Sequence, residues 1–181
     1  MSTATAVTVG TWKLDPSHSE IGFTVRHLVS KVRGKFETFE ATFVTSEDLT
    51  ATKASVSVDL SSINTGTPDR DAHLRSADFF SVEEHPTMTY VTTGIVARDD
   101  EFVVTGDLTI KGVTKPVTLD VEVGGFGPDA YGGTRAGFTA TTTINRNDFG
   151  VDISMPLDGG GVVVGEKVQI SLEIEAVLRN A

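Results

Sequence analysis

A clustered Asp-Ser-His, four histidines and a glycine run are the features of this chain whose residue types could do chemistry. Asp15, Ser17 and His18 have the members of a nucleophilic triad but fall within four positions of one segment. A working triad converges from separate elements beside an oxyanion hole, so Asp15-Pro16-Ser17 reads better as a turn. Gly160 and Gly165 have the spacing of a phosphate loop, but Glu166 and Lys167 follow where Lys and then Ser or Thr are needed. The next residues alternate like a strand, whereas that loop must open a helix. His18, His27, His73 and His85 contain no pair at helical or hairpin metal-ligand spacing. Zinc needs three or four converging ligands, so no metal and no cofactor is expected. Arg70, Asp71, His73 and Arg75 form the densest polar cluster, which capping and i,i+4 charge pairs of about 0.3 kcal/mol each explain. Arg146 and Asp148 read as charges that lock a strand-ending corner.

Two features are more telling. His27 continues the face of Ile21, Phe23 and Val25. A polar ring there is either a satisfied core group or the head end of a ligand cavity. The stretch from Ile21 to Phe36 has no acidic residue, yet it holds Arg26, Lys31, Arg33 and Lys35. These are either solvated charges near a strand turn or a seat for an anionic group. No metalloprotease, nucleophile-elbow, dinucleotide-fold or kinase signature is present, which tilts the reading from enzyme to binder.

The elements that must position these residues are strands. Val117, Leu119, Val121 and Val123 alternate with Thr118, Asp120 and Glu122, and Val168 to Leu178 alternate in the same way. Phe102, Val104, Leu108 and Ile110 keep the period, as do Phe138, Ala140 and Ile144. Successive strand side chains point to opposite faces, so each stretch has one apolar side that must gather around its neighbours or a ligand. Strands are predicted at about 19–28, 35–45, 53–60, 87–96, 101–111, 115–124, 134–145 and 165–179. Long antiparallel strands suit a coiled barrel better than a small sandwich. Thr67 and Pro68 open a predicted short helix over Pro68–Arg75, and 146–164 reads as a flexible crossover.

Composition sets bounds. The 181 residues suit one domain, read as a loose tail over 1–10 and a barrel over 11–181. Net charge is −10 and cysteine is absent. That balance argues against nucleic acid and against adsorption to anionic membranes. No apolar run approaches a membrane span, and the first ten residues do not read as a secretory leader. The expectation is a cytoplasmic protein without stable membrane insertion.

Six segments then occur in order: His18 to His27, Val32-Arg33-Gly34-Lys35-Phe36, Arg70 to Phe80, Leu108 to Val117, Ile144 to Gly150, and Val164 to Val168. Together they make the chain resemble the YceI-like, polyisoprenoid-binding family from about Trp12 to the C-terminus. The resemblance implies an extended, eight-stranded, lipocalin-like antiparallel β-barrel with one or two short helices and a long apolar pore. It implies a long isoprenoid ligand, such as a polyprenyl phosphate or isoprenoid quinone, and a homodimer. Many such proteins are periplasmic.

Strand parity, rather than the resemblance, picks the candidate lumen residues: Ile21, Phe23, Val25, His27, Phe36, Phe39, Phe43, Phe102, Val104, Phe138 and Leu172. Phe79 and Phe80 are expected to close or line one mouth. Arg26, Arg33 and Lys35 are candidates for a polar head, provided they lie at the open end. Burial of about 0.8 kcal/mol per methylene lets the pore dominate affinity, and a charged head belongs at the mouth. Two other readings stand beside this one: an enzyme acting on a lipid or quinone with His27 or His73 as acid or base, and a filled structural barrel working through its dimer surface.

Overall fold

The computed structural model describes residues 8–151 and 164–179. Its strand segments are β1 (Gly10–Leu14), β2 (Glu20–His27), β3 (Ser30–Phe36), β4 (Phe39–Thr45), β5 (Lys53–Asp59), β6 (Ile63–Asn64), β7 (Thr87–Arg98), β8 (Glu101–Ile110), β9 (Val113–Pro128), β10 (Thr134–Asn145) and β11 (Val164–Arg179). One α-helix, α1 (Pro68–Arg75), lies between β6 and β7. Gly10 already belongs to the first strand, so the predicted tail is shorter than ten residues where it is described.

All the ladders are antiparallel, and their register reduces these segments to eight barrel strands. β1 and β2 both pair with β11, β4 pairs with β1 while β3 pairs with β2, and β5 pairs with β4 while β6 pairs with β3. Residues 10–27, 30–45 and 53–64 are therefore single barrel strands, each broken once. β7 to β11 supply the rest in chain order, and the β1–β11 ladder closes the cylinder. The fold is the closed eight-stranded antiparallel barrel read from the sequence. Closure is incomplete at the helix end: among the described residues β6 pairs only with β3, and Ser30–Gly34 of β3 pair only with β2.

The three breaks are local turns that face one another. Ser17 N donates to Asp15 Oδ1 at 3.0 Å, and Ser61 N donates to Asp59 Oδ1 at 2.9 Å. Between them, Asp59 N donates to Thr38 O at 2.9 Å and Glu37 N to Ser62 O at 3.2 Å. The break at 37–38 corrects the continuous strand predicted over 35–45. β3 also begins at Ser30, ahead of that prediction.

Two ends can be distinguished. The helix end carries the 28–29 and 111–112 turns, α1 and the 3₁₀ turn at 146–149; the far end carries the 46–52, 99–100 and 129–133 connections. At the far end Trp12 is fully buried, with Phe43 stacked on it and Phe126 edge-on at 5.5 Å. Its indole Nε1 donates to Thr45 Oγ1 at 2.9 Å, which satisfies a polar atom that burial would otherwise penalise. Most of the predicted crossover, 152–163 with Gly160, lies outside the described residues. Among the described residues, no helix is long and apolar enough to cross a membrane.

Candidate ligand-binding lumen

Register carries the apolar faces around one inner wall. Phe36 stands opposite Ile21, Ile21 opposite Leu172, Leu172 opposite Ala140, Ala140 opposite Val121, and Val121 opposite Phe102. Cross-strand partners share a face, so these six residues form one rung of the interior. The rung does not fill the barrel. Three apolar chambers of about 110, 80 and 150 Å³ follow one another from the helix end to the far end.

The chambers abut. Ile21, Met88 and Ile170 line both the first and the middle one; Val56, Tyr90, Leu119 and Leu172 line both the middle and the far one. A dry cavity of about 150 Å³ holds one benzene-sized molecule. Only the far chamber reaches that size, so a chain threading all three must displace inward side chains in the two smaller chambers and between them.

The residues expected at the lumen divide between the chambers. Ile21, Phe23, Val25, Phe36, Phe79 and Phe80 line the first. Phe43, Phe102, Val104, Phe138 and Leu172 line the far one. Phe39 is buried in the wall with Leu14, Ala41 and Leu60, and it lines none of the three. His27 is half-buried at the end of β2, opposite Ser30, and also lines none. Arg26, Arg33 and Lys35 are exposed, with parity opposite to Phe23 and Val25, so they stand on the outer face of the wall.

Sequence reasoning missed Tyr90 and Arg146 as lining residues. Tyr90 borders the middle and far chambers, and its phenol donates to Val117 O at 2.9 Å. Burial, with the Asp107 charge adding to it, pushes the Tyr90 hydroxyl up to about 12. Arg146 is 7% exposed and lines the first chamber. It donates to the carbonyls of Gly165 at 2.9 Å, Val151 at 2.7 Å and Val164 at 3.2 Å, pinning β11 to the 146–151 corner as a lock. Buried Thr52 Oγ1, at the far chamber, has no hydrogen-bond partner among the described residues.

The polar clusters have structural work. Asp71 accepts from Thr65 N at 3.0 Å and from Thr65 Oγ1, Arg70 donates to Thr65 O at 2.7 Å, and Arg75 donates to Ser61 O at 2.9 Å. They tie α1 to the β6 segment; Thr67 is the N-cap residue but makes no side-chain cap bond. His73 Nε2 lies 2.9 Å from Asp78 and does not line a chamber. Ser17 Oγ donates to Asp15 at 2.7 Å, in an exposed turn on the outside of the wall.

Asp15, His18 and Glu175 bring three ligand atoms within 4.8 Å of one another. Arg135 already spans the two carboxylates, donating to Asp15 at 2.7 Å and to Glu175 at 2.8 Å. Hydrogen bonds from Arg135, Ser17 and His18 hold the Asp15 carboxyl well below the usual range. Backbone N–H bonds from Gly133 and Tyr131 lower Asp129. The group is an ion-pair cluster.

A closed antiparallel barrel with an apolar, partly vacant interior defines the class: a lumen protein of lipocalin-like build. The YceI-like domain family model matches residues 12–176, and the chain belongs to that family. A UPF0312 protein of Staphylococcus epidermidis is 40% identical over 172 residues, covering 93% of this chain and 98% of that one. Protein YceI of Escherichia coli O157:H7 is 39% identical over 155 residues, covering 83% and 81%. The crystal structure of the Campylobacter jejuni YCEI protein superposes with a TM-score of 0.74 at 30% identity, over 92% and 97% of the two chains. A polyisoprenoid binding domain from Saccharophagus degradans, implicated in plant cell wall breakdown, shares the fold at a TM-score of 0.68. It is 16% identical and covers 95% and 100%.

Proposed function

We propose that this protein holds a long, flexible apolar molecule, an isoprenoid chain or a similar amphiphile, lengthwise in its lumen and does not transform it. The observation that carries this reading is the row of three abutting chambers, whose shared walls are Ile21, Met88, Val56 and Leu172. The barrel thus offers a succession of apolar niches rather than one round pocket. Each buried methylene is worth about 0.8 kcal/mol, so a chain of several isoprene units needs no strong polar contact. The name of the Saccharophagus degradans domain agrees with the reading.

A charged head does not enter the lumen cheaply, so the head sits at a mouth and the tail runs inward. Two further parts belong to the proposal: action as a homodimer, which the family resemblance implies and light scattering checks, and a cytoplasmic site, checked by fractionation of the native host.

The deciding experiment is mass spectrometry of organic extracts from protein purified from that host. A chain lipid recovered near one per barrel is the expected result. Its absence under mild purification that retains the lipids of known lipocalins would overturn the reading and favour a filled structural barrel.

A further inference from the structure

We infer that the β2–β3 hairpin is a docking element for an anionic bilayer surface. The first ground is the turn at its tip. Three strand pairs here are joined by two-residue turns: Leu28-Val29, Asp99-Asp100 and Lys111-Gly112. The first residue of each has positive φ, 52° at Leu28 and 53° at Asp99 and Lys111. Such turns favour Gly, Asn and Asp, and a bulky apolar residue held there is strained. Two of the three turns are polar. The third places Leu28, 44% exposed, and Val29, 95% exposed, at the apex. Nothing in the turn's own geometry calls for that pair.

The second ground is charge. The outer face below this tip carries Arg26, Lys31, Arg33 and Lys35, all exposed. Arg26 stands directly opposite Lys31, an arrangement that costs stability within the sheet. No Asp or Glu occurs between Ile21 and Phe36, and Glu20 and Glu37 lie at the opposite end of the hairpin. The adjacent β11 presents neutral Gln169 and Ser171 opposite Thr24 and Gly22, with Glu166 offset by Lys167. The chain as a whole is strongly acidic, but charges beyond about 8 Å are screened at physiological salt. The hairpin therefore meets an anionic surface as a local cation.

An apolar apex above a cationic flank is the arrangement of a segment that rests in a lipid interface, with the apex among the headgroups and the cations on the phosphates. Other occupants fit less well. Single-stranded nucleic acid needs aromatic platforms, and the hairpin's two phenyl rings, Phe23 and Phe36, line the lumen, which leaves only the half-buried His27 imidazole. A second copy docked face to face would set like charges against each other. The hairpin also borders the first chamber, which Val25 and Val164 line. Docking by this tip would bring the helix end of the lumen to the bilayer.

The test is flotation of the full chain with vesicles of phosphatidylcholine alone, or with 30% phosphatidylglycerol by choice of composition. Binding is expected only to the anionic vesicles and lost in high salt. Arg26→Glu/Arg33→Glu is expected to weaken it more than tenfold, since each cation near such a surface contributes about fivefold. Val29→Asp and Leu28→Gly are expected to weaken it too, while Leu28→Gly relieves the positive-φ strain and leaves the melting temperature at or above wild type. Failure to float with anionic vesicles would overturn the inference. So would flotation unchanged by these variants, or a hairpin that retains an acidic protein or nucleic acid but no vesicle. The readout is on the outer surface, so it stands or falls separately from the lumen ligand.

Discussion

The ring of Phe23 lies over Gly34, in the space that any side chain at position 34 would occupy; a Cβ there would collide with Phe23 Cζ and stand 2.9 Å from Cε1. These residues face each other across the β2–β3 ladder, on the lumen side. Gly34 thus keeps the ring flat against the wall. Gly34→Ala should swing Phe23 toward Phe36, 5.6 Å away, and narrow the first chamber. Overpacking of this kind costs about 1–3 kcal/mol. The expected outcome is a modest fall in melting temperature and roughly tenfold weaker chain-lipid binding, since tenfold is about 1.4 kcal/mol. Displacement titration with a fluorescent polyene checks it. Unchanged affinity would remove Phe23 from the ligand path.

Tyr90 repeats the device on the other wall, with its ring over Gly106, where a Cβ would lie 2.5 Å from Cζ. A Tyr131→Phe variant leaves Tyr90 as the sole tyrosine. Phenolate absorbance of that variant should rise near pH 12 rather than near the ordinary value of about 10. A folded-state pKa raised above the unfolded one gives stability that is complete below pH 10 and lost as pH climbs toward 12. Tyr90→Phe should flatten that alkaline loss.

Arg135 links Asp15, Asp129 and Glu175 across the outside of the barrel. The Asp15 and Asp129 carboxyls are both held below their usual range. Their contribution is therefore complete above the unfolded value of about 4 and disappears as pH falls through the depressed folded values. Arg135→Met should melt at a lower temperature than wild type at pH 7, and the gap should close progressively below about pH 4. A gap that stays constant in acid would show that the cluster contributes by packing alone.

Arg146→Met should be the most destabilising of these variants. It leaves the carbonyls of Gly165, Val151 and Val164 without this donor in a buried corner. A loss of about 3 kcal/mol is expected, which for a chain of this size is roughly 10 °C in melting temperature. Thermal scans followed by Trp12 fluorescence report it directly, because the single indole is fully buried in the fold.

Alternation made most of the barrel legible, because Phe23, Val25, Phe102, Val104 and Leu172 each sit two residues from another apolar side chain. β3 escaped because Gly34 takes an inward position where the pattern wants an apolar side chain. That absence reflects the close seat of Phe23. Tyr90 escaped because Thr92 and the register shift before Gly94 interrupt the lumen-lining series Met88, Tyr90 and Ile95, so the alternation is broken along β7. Parity already set Arg26 opposite Phe23 and Val25; these head candidates reach a ligand only around the rim. Chamber size was beyond reach, since it depends on how rings fold against glycines rather than on which residues are apolar.

The interruptions at 15–19, 37–38 and 60–62 sit side by side on three neighbouring strands. Where a ladder stops, its amides trade with solvent more readily. The cylinder thus has a crease across one flank, and deuterium should enter the wall there before it enters β8, β9 or β10. The order of deuterium uptake thus measures whether the wall yields along this one line or holds as evenly there as around the rest of the cylinder.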